Sequence, residues 1–254
     1  MKIEILFSEV CNLFGDMGNI RYLEQSLSEA EFIRTPLCGD PLFVREKVNM
    51  IYMGAMTEGT QERVIRKLMP HRDAILREIE AGTVFLCTGN AFEVFGDYIE
   101  NEDGSRIEGL GICHLHAKRD RDHRHNSAFL GELNGEKVMG FKTQFTMAYG
   151  LPDSDGLFKT VKGVGLNRET GYEGVRMNNF FGTYLLGPLL VLNPPFTRYL
   201  LRLIGVENPT LAFEAEAQQA YDCRLAEFED PNAMMEKGAN DNSIPLPSFL
   251  RRHK

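Results

Sequence analysis

The chain has 254 residues, a length that suits one α/β core with a tail or two smaller domains. Hydrophobic residues make up 43% of it, which excludes a chain that is disordered throughout. Acidic residues outnumber basic residues by 36 to 28, which gives a net charge of −8. This overall field disfavours nucleic acid and anionic membranes as partners, although a local basic patch stays open.

The cysteines and the apolar stretches indicate the compartment. There are five cysteines, and no two of them form a CxxC pair, so we do not expect a disulfide framework. The first twelve residues carry acids within their apolar run, unlike a signal peptide. The least charged stretch, residues 177–197, is interrupted by Asn, Gly and Pro, which argues against a membrane span. We therefore expect a soluble cytoplasmic protein.

Strands and helices alternate in the first half of the sequence. Short apolar runs predict strands at residues 3–7, 50–53 and 83–87. A helical pattern follows the first strand and begins at Ile20. Thr57 is a candidate N-cap for a second helix. Pro70 ends or kinks that helix, and residues 74–81 resume the helical pattern. The alternation predicts a three-layer α/β fold, with a mostly parallel sheet and helices on both faces.

The second half has a different pattern. Predicted strands lie at 111–117, 128–133, 137–141 and 180–186, the first three joined by polar turns that indicate antiparallel pairing. Predicted helices lie at 196–204 and 211–228, and residues 229–254 have the composition of a mobile tail. We divide the chain into a core domain, 1–205, and a C-terminal helix with tail, 206–254. The stripe of Leu211, Phe213, Ala217 and Tyr221 favours packing on the core, and a partner is the alternative.

Three loops with small residues follow predicted strands, at 15–19, 54–59 and 87–96. In doubly wound folds, ligands bind where such loops leave the carboxyl ends of parallel strands. Backbone N–H groups at small residues can approach a ligand closely. Each loop taken alone is equally consistent with a plain tight turn.

The order of the motifs resembles the triad-type (class I) glutamine amidotransferases of the cobyric acid synthase branch. Residues 12–20, NLFGDMGNI, stand where that family has N-L-Y-G-D-x-G-N-I. Residues 182–194, GTYLLGPLLVLNP, stand where it has G-T-Y-L-H-G-P-L-L-x-x-N-P. Within the branch the chain is most similar to the glutaminase subunits of lipid II isoglutaminyl synthases. The resemblance covers roughly residues 1–205 and implies their flavodoxin-like α/β fold.

The same alignment shows substitutions at the catalytic positions. Gly89 stands at the family's nucleophilic cysteine, Leu186 stands at its histidine, and the G-F-E-N-H segment has become GFKTQ at residues 140–144. Glutamine hydrolysis needs a thiolate and a base that activates it. Because glycine has no nucleophile and leucine cannot accept a proton, we expect no catalytic residues and a lost glutaminase activity.

A fallback nucleophile and the residues of the pocket also follow from the alignment. Cys87 lies two residues before Gly89, within the predicted strand, where a buried hydrophobic role is favoured over a shifted nucleophile. The predicted pocket consists of Gly54, Ala55, Asn90, Glu93, Arg124 and Gln144. Since Asn90, Ala91 and Glu93 replace the family's residues around the nucleophile, we expect Gly89→Cys with Leu186→His to stay inactive.

The histidines of residues 113–125, CHLHAKRDRDHRH, are the one candidate metal cluster. They are His114, His116, His123 and His125. Two H-x-H pairs on adjacent strands could ligate zinc, and a water-exposed polar hairpin is the favoured alternative. We expect neither a metal nor any other cofactor.

The resemblance implies a partner. We expect a degenerate amidotransferase-like subunit that pairs with a Mur-ligase-like synthetase acting on a lipid-linked cell-wall precursor, with a small amide or amino-acid ligand in the emptied pocket. One alternative is an active glutaminase that supplies ammonia to that synthetase through Cys87. Another is a hydrolase of a different amide or ester, which the lack of Ser or Cys at position 89 weakens.

Overall fold

The computed structural model describes residues 1–236. Its strands are β1 (Lys2–Leu6), β2 (Glu31–Thr35), β3 (Met50–Met53), β4 (Val84–Thr88), β5 (Tyr98–Glu100), β6 (Arg106–Glu108), β7 (His116–Arg119), β8 (His125–Leu133), β9 (Glu136–Gln144), β10 (Thr146–Tyr149), β11 (Gly156–Lys162), β12 (Tyr172–Met177) and β13 (Phe180–Thr183). Its helices are α1 (Met17–Ser26), α2 (Glu58–Leu68), α3 (Arg72–Glu80), α4 (Leu189–Leu192), α5 (Pro194–Leu203) and α6 (Glu214–Glu229).

One nine-stranded sheet forms the centre, in the order β2-β1-β3-β4-β13-β12-β11-β8-β9. The five strands from β2 to β13 pair in parallel, and the remaining four extend the sheet in antiparallel fashion. The predicted change from parallel to antiparallel pairing is therefore present, and it occurs at β13. Strands β2, β11 and β12 of this sheet were not predicted from the sequence.

Successive side chains of a strand point to opposite faces of the sheet, and both faces of the parallel half are buried. Met53 and Phe85 pack with Val64 and Ile75 of α2 and α3 on one face. On the other face, Tyr52 and Leu86 pack with side chains of α1, α4 and α5. This arrangement confirms the three-layer α/β fold with helices on both faces.

The helix boundaries follow ordinary capping chemistry. The Thr57 hydroxyl accepts the Thr60 N–H at 3.3 Å and begins α2 as predicted. A 3-10 turn that contains Pro70 separates α2 from α3, which confirms the predicted interruption. Residues 91–96, AFEVFG, have a helix-like pattern, and in the structure Gly89–Phe95 form a 3-10 turn.

A second sheet of four short strands, in the order β10-β7-β5-β6, packs beside the parallel half. The predicted strand at 111–117 is largely wrong, because only its last two residues belong to β7. Residues 110–113 instead donate backbone N–H groups to the carbonyls of residues 94–96, which leaves them irregular.

The C-terminal helix α6 packs on the core. Tyr221 donates to the Lys137 carbonyl at 2.9 Å, and Leu211 and Ala217 are buried, which confirms docking on the core. Phe213 of the predicted stripe is 63% exposed. Residues 230–236 are not a free tail, since Ala128 N–H donates to the Met235 carbonyl at 2.7 Å. Residues 237–254 lie outside the described residues, and the domain division at residue 205 stays a prediction.

Candidate functional site

A cavity of about 190 Å³ opens at the carboxyl ends of β3, β4 and β13. The loops that follow these three strands meet here because the strands are parallel neighbours. The end of β9 and the turn after it close the remaining side. Its lining residues are Leu13, Phe14, Ala55, Met56, Thr57, Glu58, Gln61, Gly89, Asn90, Arg124, Thr143, Gln144, Phe145, Thr146, Tyr184 and Leu186.

Gly89 begins the turn after β4 with a φ of +60°. This left-handed conformation is typical of a strand-to-turn bend that exposes a nucleophile, and only glycine adopts it freely. A Cβ built on Gly89 would lie 2.5 Å from the Ala55 Cβ, a distance at which the backbone must move. The Ala55 N–H donates to Asp16 Oδ2 at 2.5 Å, which holds that loop in place. Ala55 therefore occupies the space that a side chain at position 89 needs.

Leu186 lies directly beside Gly89. Its Cδ2 is 3.2 Å from the position of a Gly89 Cβ, and its N–H donates to the Phe141 carbonyl at 3.0 Å. The two positions are therefore as close as a hydrogen-bonded cysteine and histidine require. Neither Gly89 nor Leu186 carries a nucleophile or a proton acceptor in its side chain.

A buried carboxylate lies beneath the cavity floor. Asp16 is fully buried and accepts from the Ala55 N–H, from Thr88 Oγ1 at 2.8 Å and from Tyr52 OH at 3.1 Å. Burial raises the pKa of Asp16, and these hydrogen bonds oppose the increase. The aspartate of the GDMGN motif thus connects the first loop with the two loops that follow β3 and β4.

Glu93 supports the cavity from below and does not face it, which corrects its predicted place in the lining. The side chain is 1% exposed and accepts from Thr146 Oγ1 at 2.5 Å, from Gln61 Nε2 at 2.7 Å and from Tyr184 OH at 2.8 Å. Burial raises the pKa of Glu93, and the same hydrogen bonds lower it. Gln61 in turn accepts from buried Arg119 at 2.8 Å.

The structure also changes the reason for expecting failed restoration. Among the residues of the chain that are described, the non-glycine positions with positive φ do not include Ala91, so its Cβ meets no strain of that kind. The Glu93 carboxylate is engaged below the floor. The obstacle that the geometry shows is the Ala55 methyl group, which the sequence reasoning placed in the pocket without recognising its effect.

The other predicted pocket residues divide into two groups. Ala55, Asn90, Arg124 and Gln144 line the cavity. Gly54 does not line the cavity. It packs tightly against the Cys11 backbone, since an added Cβ would lie 2.6 Å from the Cys11 carbonyl oxygen. Sequence reasoning missed the lining residues Leu13, Phe14, Met56, Thr57, Glu58, Gln61, Thr143, Phe145, Thr146 and Tyr184, although several belong to the quoted motifs.

Cys87 does not reach the cavity. Its side chain is fully buried and packs with Met53, Phe85 and Phe180 on the α2 side of the sheet. Burial raises the pKa of the Cys87 thiol well above its usual value. A protonated thiol without access to the cavity cannot attack a ligand bound there.

The four histidines do not converge. His116 belongs to β7 in the small sheet and His125 to β8 in the large sheet, so the predicted hairpin of adjacent strands is wrong. His116 stacks between Tyr98 and Tyr149, at ring-centroid distances of 4.8 and 5.9 Å. Within residues 1–236, no three His, Cys, Asp or Glu side chains are placed to share a metal ion.

Comparison with known proteins agrees with this geometry. The sequence profile of the CobB/CobQ-like glutamine amidotransferase domain matches residues 2–193. The chain belongs to this family. In Streptococcus pneumoniae, subunit GatD of lipid II isoglutaminyl synthase (glutamine-hydrolyzing) is 26% identical over 202 residues, covering 76% of each chain. The subunit of the same name from Staphylococcus aureus is 25% identical over 226 residues, covering 84% of this chain and 88% of that one.

Solved structures of glutamine amidotransferases share the fold. The structure of PurLQS from Thermotoga maritima covers 88% of this chain and 98% of its own, with a TM-score of 0.54 and 15% identity. A crystal structure titled glutamine amidotransferase covers 80% of this chain and 99% of its own, with a TM-score of 0.52 and 15% identity. Among residues 1–236, no helix has the length and hydrophobicity that a membrane crossing requires.

Proposed function

We propose that this member of the CobB/CobQ-like family is a catalytically degenerate amidotransferase subunit. The observation that carries the proposal is the cavity floor, where Gly89 and Leu186 occupy the two reactive positions side by side. Glutamine hydrolysis requires a thiolate there and an imidazole beside it. The Ala55 methyl group fills the remaining space, so no neighbouring side chain takes the place of the thiol.

The proposed biological setting is the amidation of lipid II or a related cell-wall precursor. The two curated relatives are named as subunits of lipid II isoglutaminyl synthase, and the matches cover most of both chains. We propose a Mur-ligase-like synthetase as the partner and a position in the cytoplasm. The subunit would act there as a scaffold or as a sensor of a small amide or amino-acid ligand. Arg124, Asn90 and Gln144 offer that ligand polar groups in the cavity.

The alternative of an active glutaminase requires Cys87 as the nucleophile. Its thiol is fully buried, is held protonated and does not line the cavity, so the geometry speaks against this role. The β4 backbone would have to shift before the Cys87 sulfur could face a ligand.

An ammonia-release assay tests the proposal. The purified protein, alone and with the synthetase, is given glutamine beside a Cys87→Ala variant. We expect background rates in every arm, because removing the nucleophile of a serine-protease triad lowers kcat roughly 10⁶-fold, and we expect a loss of similar size for a triad amidotransferase without its cysteine. Glutamine-dependent turnover in the native chain that disappears in Cys87→Ala would refute degeneracy and establish the shifted nucleophile.

A further inference from the structure

A second cavity of about 370 Å³ lies beside the first. Arg124, Gln144, Phe145 and Thr146 line both cavities, so they form a shared wall between them. The second cavity is the larger of the two and falls in the size range of small-molecule sites, roughly 300–1,000 Å³. No function derived above uses it.

The charge of this second cavity is opposite to that of the chain. Its lining contains Lys118, Arg119, Arg124 and Arg168, and Asp120 is its one acidic residue, although acids outnumber basic residues in the whole sequence. Three of the four cations have a carboxylate neighbour that does not line the cavity. The nitrogen-to-oxygen distances are 3.8 Å for Lys118 and Glu100, 3.7 Å for Arg119 and Glu62, and 3.0 Å for Arg168 and Glu236. The pairs of Lys118 and Arg168 are partly exposed, so they are weak and exchange readily with a ligand, whereas the Arg119 side chain is buried.

Arg124 is the cation best placed to bind an anion. Its guanidinium lies 4.4 Å from the centroid of the Phe145 ring. Within residues 1–236 it has no carboxylate partner. A guanidinium held on an aromatic face keeps its outer N–H groups free for an oxyanion, which it matches in a bidentate fashion.

Two buried polar atoms on the same lining lack a partner. Arg119, whose side chain is 2% exposed, leaves its Nε–H unsatisfied, and Gln144, at 8% exposure, leaves Oε1 unsatisfied. The Gln144 amide orientation is fixed, because Nε2 donates to the Thr146 carbonyl at 2.7 Å. Since an unpaired buried polar group costs free energy, these atoms indicate a ligand that accepts at Arg119 and donates to Gln144.

We infer that the second cavity binds a phosphate-bearing small molecule. At neutral pH a free phosphate carries a negative charge together with a P–OH donor, so it satisfies both the cations and the Gln144 acceptor. Sulfate and carboxylates carry charge without a donor and leave Gln144 unsatisfied. A phosphate monoester has a second pKa of about 6, so near pH 6.5 a fraction of it carries the same P–OH donor. The cavity volume of about 370 Å³ also exceeds that of a single ion. The site shares Arg124 and Gln144 with the first cavity, but it requires neither a nucleophile at position 89 nor a base at position 186.

Calorimetric titration of the full chain with inorganic phosphate, glycerol phosphate and sulfate tests the inference. We expect saturable binding of phosphate or of glycerol phosphate near pH 6.5, roughly tenfold tighter than sulfate, the fold-change of one satisfied hydrogen bond. Tighter binding of the ester identifies a larger phosphorylated ligand, and tighter binding of the free ion identifies inorganic phosphate.

Two variants locate the site. Arg124→Gln should weaken phosphate binding at least tenfold, whereas Arg66→Gln, which makes the same charge change at an exposed arginine of α2 outside both cavities, should not. Gln144→Leu should reduce the preference for phosphate over sulfate. Unfolding midpoints of the variants confirm that they fold. Absence of saturable binding, equal affinity for sulfate, or equal losses in Arg124→Gln and Arg66→Gln would each overturn the assignment.

Discussion

The layer of polar side chains beneath the cavity and the floor of the cavity itself differ in their chemistry. In the supporting layer, the Asp16 and Glu93 carboxylates each accept at least three hydrogen bonds from separate elements. On the floor, Gly89 and Leu186 offer no reactive side chain, and Ala55 fills the gap. The supporting layer is therefore fully hydrogen-bonded, whereas the floor above it carries no reactive side chain.

This difference separates the structural part of the family's motifs from the chemical part. Asp16 and Asn19 of the first motif bond to the loops and strands around them, and Asn193 of the last motif bonds to both backbone groups of Met139. Removing such a buried partner leaves donors unsatisfied, so these residues are needed for folding whether or not the site is active. Gly89 and Leu186 have side chains that make no hydrogen bonds of this kind.

The largest expected effect is in the supporting layer. Asp16→Asn places an N–H₂ group against the Ala55 N–H or the Thr88 hydroxyl, and we expect a loss of about 3–5 kcal/mol of unfolding free energy, as for a broken buried charged network. Urea unfolding measures it. Asp122→Asn, a matched change at an exposed aspartate, should stay within about 0.5 kcal/mol. Equal stabilities of the two variants would show that the layer is not a support.

The next effect concerns the cavity floor. Gly89→Cys adds a Cβ at a residue with positive φ and places it against Ala55. We expect it to lower the free energy of unfolding by about 2–3 kcal/mol. Adding Ala55→Gly removes the contact, so the unfolding free energies of the two changes should couple favourably by about 1–2 kcal/mol. The control, Ala74→Gly on α3, should be additive with Gly89→Cys. Additivity of Ala55→Gly as well would show that Ala55 does not occlude the site.

This occlusion also predicts the outcome of restoration. Gly89→Cys with Leu186→His should remain without glutaminase activity, and a glutamine-like electrophile should label the introduced thiol at position 89 only after Ala55→Gly is added. Intact-mass spectrometry of the two folded variants checks this. Rapid labelling of the variant that retains Ala55 would show that the methyl group is no obstacle.

The central parallel strands β1, β3 and β4, the helices around them and the place of the site were predictable from the sequence. Strands β2, β11 and β12 and the packing of the site were not. The parallel strands appear as apolar runs, and motifs in three separate segments meet at their carboxyl ends. Glu93 adjoins the nucleophile position in sequence, yet its direction depends on the tertiary partners Thr146 and Tyr184. The clash at Ala55 depends on a distance between two loops, which the sequence does not contain. The short strands β5–β7 and β10 were difficult to predict because they lack a strong alternating pattern.

A smaller, pH-dependent effect is expected at Glu93. Because burial raises its pKa, the folded chain binds a proton here more readily than the unfolded chain, so this group's contribution to stability falls as the pH rises from the usual glutamate range to the folded-state value. Glu93→Gln should reduce this loss of stability with rising pH. It should also lower the free energy of unfolding by about 1–2 kcal/mol, because its contact with Gln61 changes. Glu108→Gln, at an exposed glutamate of β6, is the control. Identical pH profiles of the native chain and Glu93→Gln would contradict the assignment.

Under the proposed function, the fold keeps the position of a glutaminase site but not its nucleophile. Treating the native chain with a chloroketone analogue of glutamine, with and without excess glutamine, and mapping the adducts by mass spectrometry tests it directly. We expect slow labelling of the exposed Cys38 and Cys223 that glutamine does not affect, and no adduct on buried Cys87. A rapid stoichiometric adduct on Cys87 that glutamine prevents would contradict it.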